Sequence, residues 1–243
     1  MKILVCISHV PDTTTKIKFV DNKLDTNGVQ FIIGPYDDFA LARAVELKEA
    51  SGGTVTVLNV GTVDTEPSIR KALAIGADNA VRVNAEPSDS LFVAKQIVAH
   101  AASENYDMIL MGRESSDFNS GLVHGLVGEL LGWPSIAPAM KLDVDGTTAK
   151  LSREIEGGHE DVEVQLPFVA GCQEPIAEWK IPNMRGIMMA RKKPLEVVEA
   201  VAVDGVTTYQ SFELPEEKGE CKMVDADQMD ELVGLLKNEA RVL

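Results

Sequence analysis

The residues best placed to do chemistry lie in one run, Met108-Ile109-Leu110-Met111-Gly112-Arg113-Glu114-Ser115-Ser116-Asp117-Phe118-Asn119-Ser120-Gly121-Leu122-Val123. An apolar stretch ends at Gly112, a polar loop follows, and an amphipathic helical pattern begins beside Asn119 and Ser120. Asn and Ser are favourable N-caps, so the backbone N–H groups of Gly121, Leu122 and Val123 are expected to point into the loop. Orphan donors at the positive end of a helix suit a phosphate. A glycine at position 112 would also let a nucleotide approach the backbone. An ordinary capped strand-to-helix loop has the same pattern, and these residues alone leave both readings open.

Other chemistry is thin. Ser51-Gly52-Gly53-Thr54 has the composition of a phosphate loop, but it leaves a helix and enters a strand, which makes it a C-cap turn. Neither GxxxxGK[ST] nor GxGxxG is present, and the SGGxDS of adenylating pyrophosphatases is missing too. His9, His100, His124 and His159 lack metal-ligand spacing, and there is no GxSxG or HExxH. Cys6, Cys172 and Cys221 are three isolated thiols without CxxC spacing, which argues against disulfides, zinc or an iron–sulfur centre. Cys6 reads as a small buried hydrophobe and the compartment as reducing. Met184, Met188 and Met189 read as packing for a helix face, although such faces also suit adaptable docking. Binding is better supported than catalysis.

The elements that would position these residues alternate in the first part of the chain. Strand-like runs fall at Ile3–Ile7, Thr54–Val60, Ala80–Val83 and Met108–Met111. Helical periodicity falls at Asp37–Ala50, Glu66–Ile75, Ser90–Ser103 and Asn119–Leu131. Continuous apolar strands separated by helices predict a doubly wound, mostly parallel α/β sheet covered on both faces. Lys16–Phe19 and Val29–Ile33, around Asp21-Asn22-Lys23, predict a β-hairpin inserted between the first strand and first helix. Such an excursion lies where doubly wound sheets contact ligands.

Beyond Trp133 the pattern changes. Met140–Val144, Thr148–Ile155 and Val162–Leu166 predict a β extension, followed by an irregular stretch through Pro182. A short helix at Asn183–Ala190, an acidic tail and a closing helix near Asp227–Leu236 complete the chain. The expected division is a nucleotide-binding domain over 1–194 and an acidic arm over 195–243.

The 243 residues, 45% hydrophobic and 25% charged, can bury a sizeable core, which excludes disorder as a description of the whole. No run approaches the ~20 apolar residues of a membrane span, and Met1–Ser8 is too short and polar for a signal sequence, so a soluble, cytoplasmic protein without membrane insertion is expected. The net charge of −15 disfavours nucleic acid. From Glu196 onward there are twelve acidic and four basic residues, whereas Lys180, Arg185, Arg191, Lys192 and Lys193 form a basic cluster. Such asymmetry marks solvated faces or a docking surface.

Taken in order, these segments resemble the β-subunit of electron transfer flavoproteins. The resemblance runs through Ile3–Ile7 with Val10-Pro11-Asp12, and through Gly34-Pro35-Tyr36-Asp37 into Ala44–Lys48. It continues over Arg70–Asp78, the Gly112 loop to Trp133-Pro134, Arg153–Gly158, Leu166-Pro167 and Ala190–Pro194. Each piece is weak alone, and their order and spacing are specific. The resemblance implies a heterodimer whose α-subunit holds most of a redox-active FAD, while the β-subunit buries an AMP without a redox role. The resemblance further implies an electron carrier without a catalytic site of its own, serving fatty acid oxidation.

The resemblance also assigns residues. The AMP site would comprise Cys6, Gly34, Pro35, Tyr36, Asp37, Val60 and the run Gly112, Arg113, Glu114, Ser115, Ser116, Asp117, Phe118, Asn119, Ser120, Gly121, Leu122 and Val123. Thr13 and Tyr36 would approach the flavin. The family's Asn-x-Pro-Arg-Tyr signature is replaced here by Gln173-Glu174-Pro175-Ile176-Ala177. The partner-recognition loop that follows places its anchor at Ile181, with Trp179 and Arg185 beside it. Ile181 and Trp179 could equally pack the loop onto its own domain. Electrons would arrive from flavoprotein dehydrogenases such as acyl-CoA dehydrogenases and leave to an electron transfer flavoprotein–quinone oxidoreductase. Val10-Pro11-Asp12-Thr13 also resembles bifurcating members that carry a second FAD in place of AMP. A homodimeric nucleotide-binding regulator resembling universal stress proteins is the alternative from another class, and it leaves Met140–Leu243 unexplained.

Overall fold

The computed structural model describes residues 1–21, 23–216 and 219–243. In chain order its elements begin with β1 (Lys2–Cys6), β2 (His9–Pro11), β3 (Phe19–Val20), β4 (Lys23–Leu24), β5 (Phe31–Ile33) and α1 (Pro35–Ser51). Then come β6 (Thr54–Val60), α2 (Glu66–Ile75), β7 (Asn79–Asn84), α3 (Ser90–Ala101), β8 (Met108–Gly112) and α4 (Val123–Leu131). The remainder is β9 (Ser135–Asp145), β10 (Thr148–Ile155), β11 (Gly158–Gln165), β12 (Phe168–Cys172), α5 (Met184–Ala190), β13 (Leu195–Glu199) and α6 (Met229–Leu235).

The main unit, Met1–Lys16 with Asp25–Gln210, is built on one nine-stranded sheet in the order β11-β10-β9-β12-β8-β1-β6-β7-β13. All neighbours from β9 to β13 pair in parallel, and β10 and β11 extend the sheet as an antiparallel meander. Alternation along β1 serves both faces. Ile3 and Val5 join a core with Leu41 and Ala44 of α1 and Ile69 and Leu73 of α2. Leu4 and Cys6 join the opposite core with Ala94 and Ile97 of α3 and Val127 of α4. From β1 the chain winds outward through β6 and β7, then crosses back to β8 on the other side of β1. The fold is therefore doubly wound, and its switch point lies between β1 and β8.

The Gly52 C-cap (φ 76°) closes α1 as the sequence predicts. Gly53 (φ 123°) then lets β6 pass the chain's start, because a Cβ there would lie 1.9 Å from the Met1 carbonyl oxygen. No helix of the described residues is long and apolar enough to cross a membrane.

Four elements differ from the sequence expectation. The partner of β5 is β2, not the predicted Lys16–Phe19, in a register that sets His9 opposite Ile33. The predicted segment contributes only its last residue to a short ladder, Phe19 opposite Leu24, and Asn22 lies outside the described residues. The stretch expected to be irregular contains β12, buried throughout and inserted between β9 and β8. Residues placed in the acidic arm form β13, paired along its length with β7, and the chain stays with the main unit as far as Gln210. Finally, α4 begins at Val123 rather than Asn119, with Leu122 in the cap position and no side-chain cap.

The smaller unit comprises Ile17–Leu24 and Ser211–Leu243. It holds the β3–β4 ladder, the stacked rings of Phe19 and Phe212 (5.2 Å), α6 and a π-helical turn over Leu236–Ala240.

Candidate functional site

The carboxyl ends of β1 and β8 are joined by one side chain from the first turn of α1. Asp37 is 5% exposed. Its Oδ2 accepts from Ser8 N (2.8 Å) and Ser8 Oγ (2.6 Å), and its Oδ1 accepts from Gly112 N (2.7 Å). Two glycines make room for it. A Cβ on Gly34 would lie 2.4 Å from Oδ2, and one on Gly112 would lie 2.7 Å from Oδ1 and from the Tyr36 Cβ. The space beside Gly112 is thus filled by α1, contrary to the expectation that it admits a ligand.

Burial pushes the Asp37 carboxyl up to about 6, against the pull of the Ser8 and Gly112 donors, with neighbouring Asp38 adding a smaller upward push. Asp37 is therefore ionised at neutral pH. Burial, reinforced by Asp37, pushes the Cys172 thiol up to about 12 and raises Cys6 further still. Both are protonated and neither is a nucleophile. Cys6 and Val60 pack into the α3–α4 core. Beside Val60, Asn59 is 2% exposed and donates to the Ile7 carbonyl (2.9 Å), while its Oδ1 is buried without a hydrogen-bond partner.

Outside the Asp37 bonds, Arg113 spreads its guanidinium over the Tyr36 ring (4.9 Å to the centroid). It donates to Glu114 (3.0 Å) and Gln173 (2.9 Å), and Gln173 donates to Glu154 (2.6 Å). Arg113, Glu114, Ser115 and Ser116 are half-buried, whereas Asp117, Phe118, Asn119 and Ser120 are exposed. Asn119 (φ 49°) donates back to the Ser115 carbonyl, and Gly121 (φ 60°) turns the chain again before Leu122. Asn119 and Ser120 therefore shape a turn instead of capping a helix. The amides free of intrahelical partners are those of Val123, His124 and Gly125. His124 packs against β12, where a Cβ on Gly171 would lie 2.7 Å from its ring, and burial lowers its pKa.

Residues 200–210 lie along α3, a connection that sequence reasoning missed. Gln96 and Val201 exchange two hydrogen bonds (2.9 and 2.8 Å), Asp89 accepts from Val206 N and Thr207 N, and Tyr209 packs on Phe118 (5.1 Å). Thr13 is exposed in a turn tied by Asp12, between β2 and β3.

A second cluster surrounds α5. Asn183 caps it by accepting from Gly186 N (2.8 Å). A Cβ on Gly186 would lie 2.4 Å from the Ala74 carbonyl oxygen, so α5 approaches α2 through its smallest residue. Arg70 holds the carbonyls of Ala190 and Lys193, and Lys193 Nζ reaches Leu73 O (2.9 Å) and Ala77 O. Only Ala190 of α5 is buried. The expectation that Met184, Met188 and Met189 pack inward is corrected, because they are 74%, 61% and 52% exposed. Ile181 (76%), Trp179 (57%) and Arg185 are exposed on the same segment. A groove of about 430 Å³ beside them is lined by Phe39, Glu174, Pro175, Ala177, Glu178 and Trp179.

The electron transfer flavoprotein domain family matches residues 21–203. The chain is 35% identical to the electron transfer flavoprotein subunit beta of Bacillus subtilis, with all of both chains covered. It is 32% identical to that of Bradyrhizobium diazoefficiens and 31% to the mitochondrial subunit beta of Arabidopsis thaliana, again over the full length of both. The family match and the full-length similarity agree: the chain belongs to the electron transfer flavoprotein family, among its β-subunits.

Proposed function

We propose that this chain is the β-subunit of a heterodimeric electron carrier that binds AMP at the β1–β8 switch point and covers an FAD held mainly by an α-subunit. The observation that carries the nucleotide reading is the buried, unpaired Asn59 Oδ1 beside the ends of β1 and β6. An orphan buried acceptor is costly, and an adenine amino group or a ribose hydroxyl would satisfy it. The free amides of Val123, His124 and Gly125 suit the phosphate, and the 113–122 turn supplies the wall between them. The residues present therefore fit an adenine nucleotide.

Bound FAD would supply the one- and two-electron redox chemistry. This chain's residues contribute cover and presentation: Tyr36 and Thr13 face the flavin side, and the Arg113 guanidinium fixes the Tyr36 ring. The exposed segment from Trp179 to Met189 offers apolar anchors to flavoprotein dehydrogenases and to a quinone oxidoreductase.

The test is to purify the chain with whatever accompanies it, denature the complex and identify the released nucleotides. One FAD and one AMP per heterodimer is the expected result. Two FADs and no AMP would replace AMP by a second flavin, as in bifurcating carriers. A single-chain species releasing ATP without flavin would overturn the carrier reading in favour of a nucleotide-binding regulator.

A further inference from the structure

At a switch point the two strand ends diverge, and their free backbone amides are the natural receptors for a ligand's charged group. Here those amides are already engaged. Ser8 N and Gly112 N, at the ends of β1 and β8, both donate to the Asp37 carboxylate, and Ser8 Oγ adds a third bond. The carboxylate belongs to α1, so it links three elements across the crevice. Gly34 and Gly112 lack the Cβ atoms that would collide with it, so the local backbone is fitted to this side chain.

We propose that Asp37 is the positioning residue of the crevice, a built-in anion that closes the Ser8 and Gly112 amides to a ligand's phosphate and fixes the spacing of β1 and β8. The inference rests on the nucleotide reading above and sharpens it: Asp37 shapes the site and touches no phosphate. Two anions sharing a buried pocket repel strongly. The phosphate is consequently confined to the outer segment, where Arg113 and the α4 amides lie, and the base is directed toward Cys6, Asn59 and Val60. The polarity of the bound nucleotide follows from one carboxylate.

The test uses the full-length chain co-purified with its α-subunit. Asp37→Ala leaves two strand-end amides and the Ser8 hydroxyl without their acceptor and is expected to weaken AMP binding about tenfold or more. Added formate, a carboxylate small enough to replace the missing group, is expected to restore most of that affinity in the variant and to leave the wild type unchanged. Formate rescue would show that the loss comes from the missing carboxylate itself and not from a general defect in folding. Wild-type affinity in Asp37→Ala, or a folded variant whose loss formate does not recover, overturns the proposal. Should Asp37→Ala fail to assemble, Asp37→Asn keeps the shape and removes the charge; weaker AMP binding is expected and unchanged affinity overturns the proposal. The two readings fail separately. A wild-type complex that binds no AMP removes the nucleotide reading, while a formate-dependent rise in the melting temperature of Asp37→Ala alone still reports the strand bridge, and its absence overturns that too.

Discussion

Gly186 of α5 approaches the Ala74 carbonyl of α2 so closely that a Cβ built on it would lie 2.4 Å from that oxygen. The short Met-rich helix is therefore seated through a glycine, while its large side chains face outward. Gly186→Ala must push α5 away from α2, because a backbone oxygen cannot yield as a flexible side chain would. We expect a loss of about 1–3 kcal/mol in stability, the usual cost of overpacking, and slower electron transfer from the proposed donor dehydrogenase. Chemical denaturation and stopped-flow flavin reduction measure the two effects. Wild-type behaviour in both would show that α5 can shift without consequence.

Ile181 is 76% exposed and adjoins this helix. Its truncation removes apolar surface that the chain itself does not bury, so Ile181→Ala is expected to leave stability within about 0.5 kcal/mol of wild type. Transfer from the donor dehydrogenase should slow while flavin content stays intact. Unaltered transfer kinetics would remove Ile181 from the docking surface.

Asp37 makes folding depend on pH in a definite direction. Burial pushes its carboxyl up to about 6 in the fold, above the ordinary value of 3.8. The folded state holds the proton more tightly, so this group's contribution is greatest at low pH and is lost as pH rises toward 6. Between pH 5 and 7.5 the loss is on the order of 1 kcal/mol for a shift of this size. Urea unfolding of wild type and Asp37→Asn at both pH values should show the wild type gaining that amount on the variant at pH 5. Of the titratable groups facing Asp37, Cys6 and Cys172 stay protonated throughout this window and Asp38 remains in both proteins. A difference independent of pH would mean that Asp37 does not titrate in this window.

Phe168 opens β12 and is fully buried. Phe168→Ala should cost about 3–5 kcal/mol through lost burial and the cavity it leaves. A loss below about 1 kcal/mol in urea unfolding would imply that the space collapses.

The elements read correctly from sequence are those whose residues alone decide their state. The apolar run of β6 and the periodic Ile69, Ala72 and Leu73 of α2 need no distant partner to be recognised. β12 was hidden because Phe-Val-Ala-Gly-Cys is short, carries a glycine and follows a proline, and only its position between β9 and β8 makes it a strand. β13 was hidden by Glu196 and Glu199, which suit an edge strand as well as an acidic tail. Asn119 and Ser120 misled for a chemical reason: the residue types that cap helices also tolerate tight turns, and Asn119 adopts the left-handed conformation. The bridge from Asp37 to Gly112 spans 75 residues. Locally, an acid in the first turn of a helix signals only favourable interaction with the helix dipole.

The order of the nine-stranded sheet leaves β11 and β13 as its two borders. One carries Glu160, Asp161 and Glu163, the other Glu196 and Glu199. Copies of the chain meeting border to border would bring like charges together in a ladder, which discourages strand-by-strand polymerisation. The sheet is thus bordered by acidic side chains at both sides, and like charge opposes its continuation from one molecule into the next.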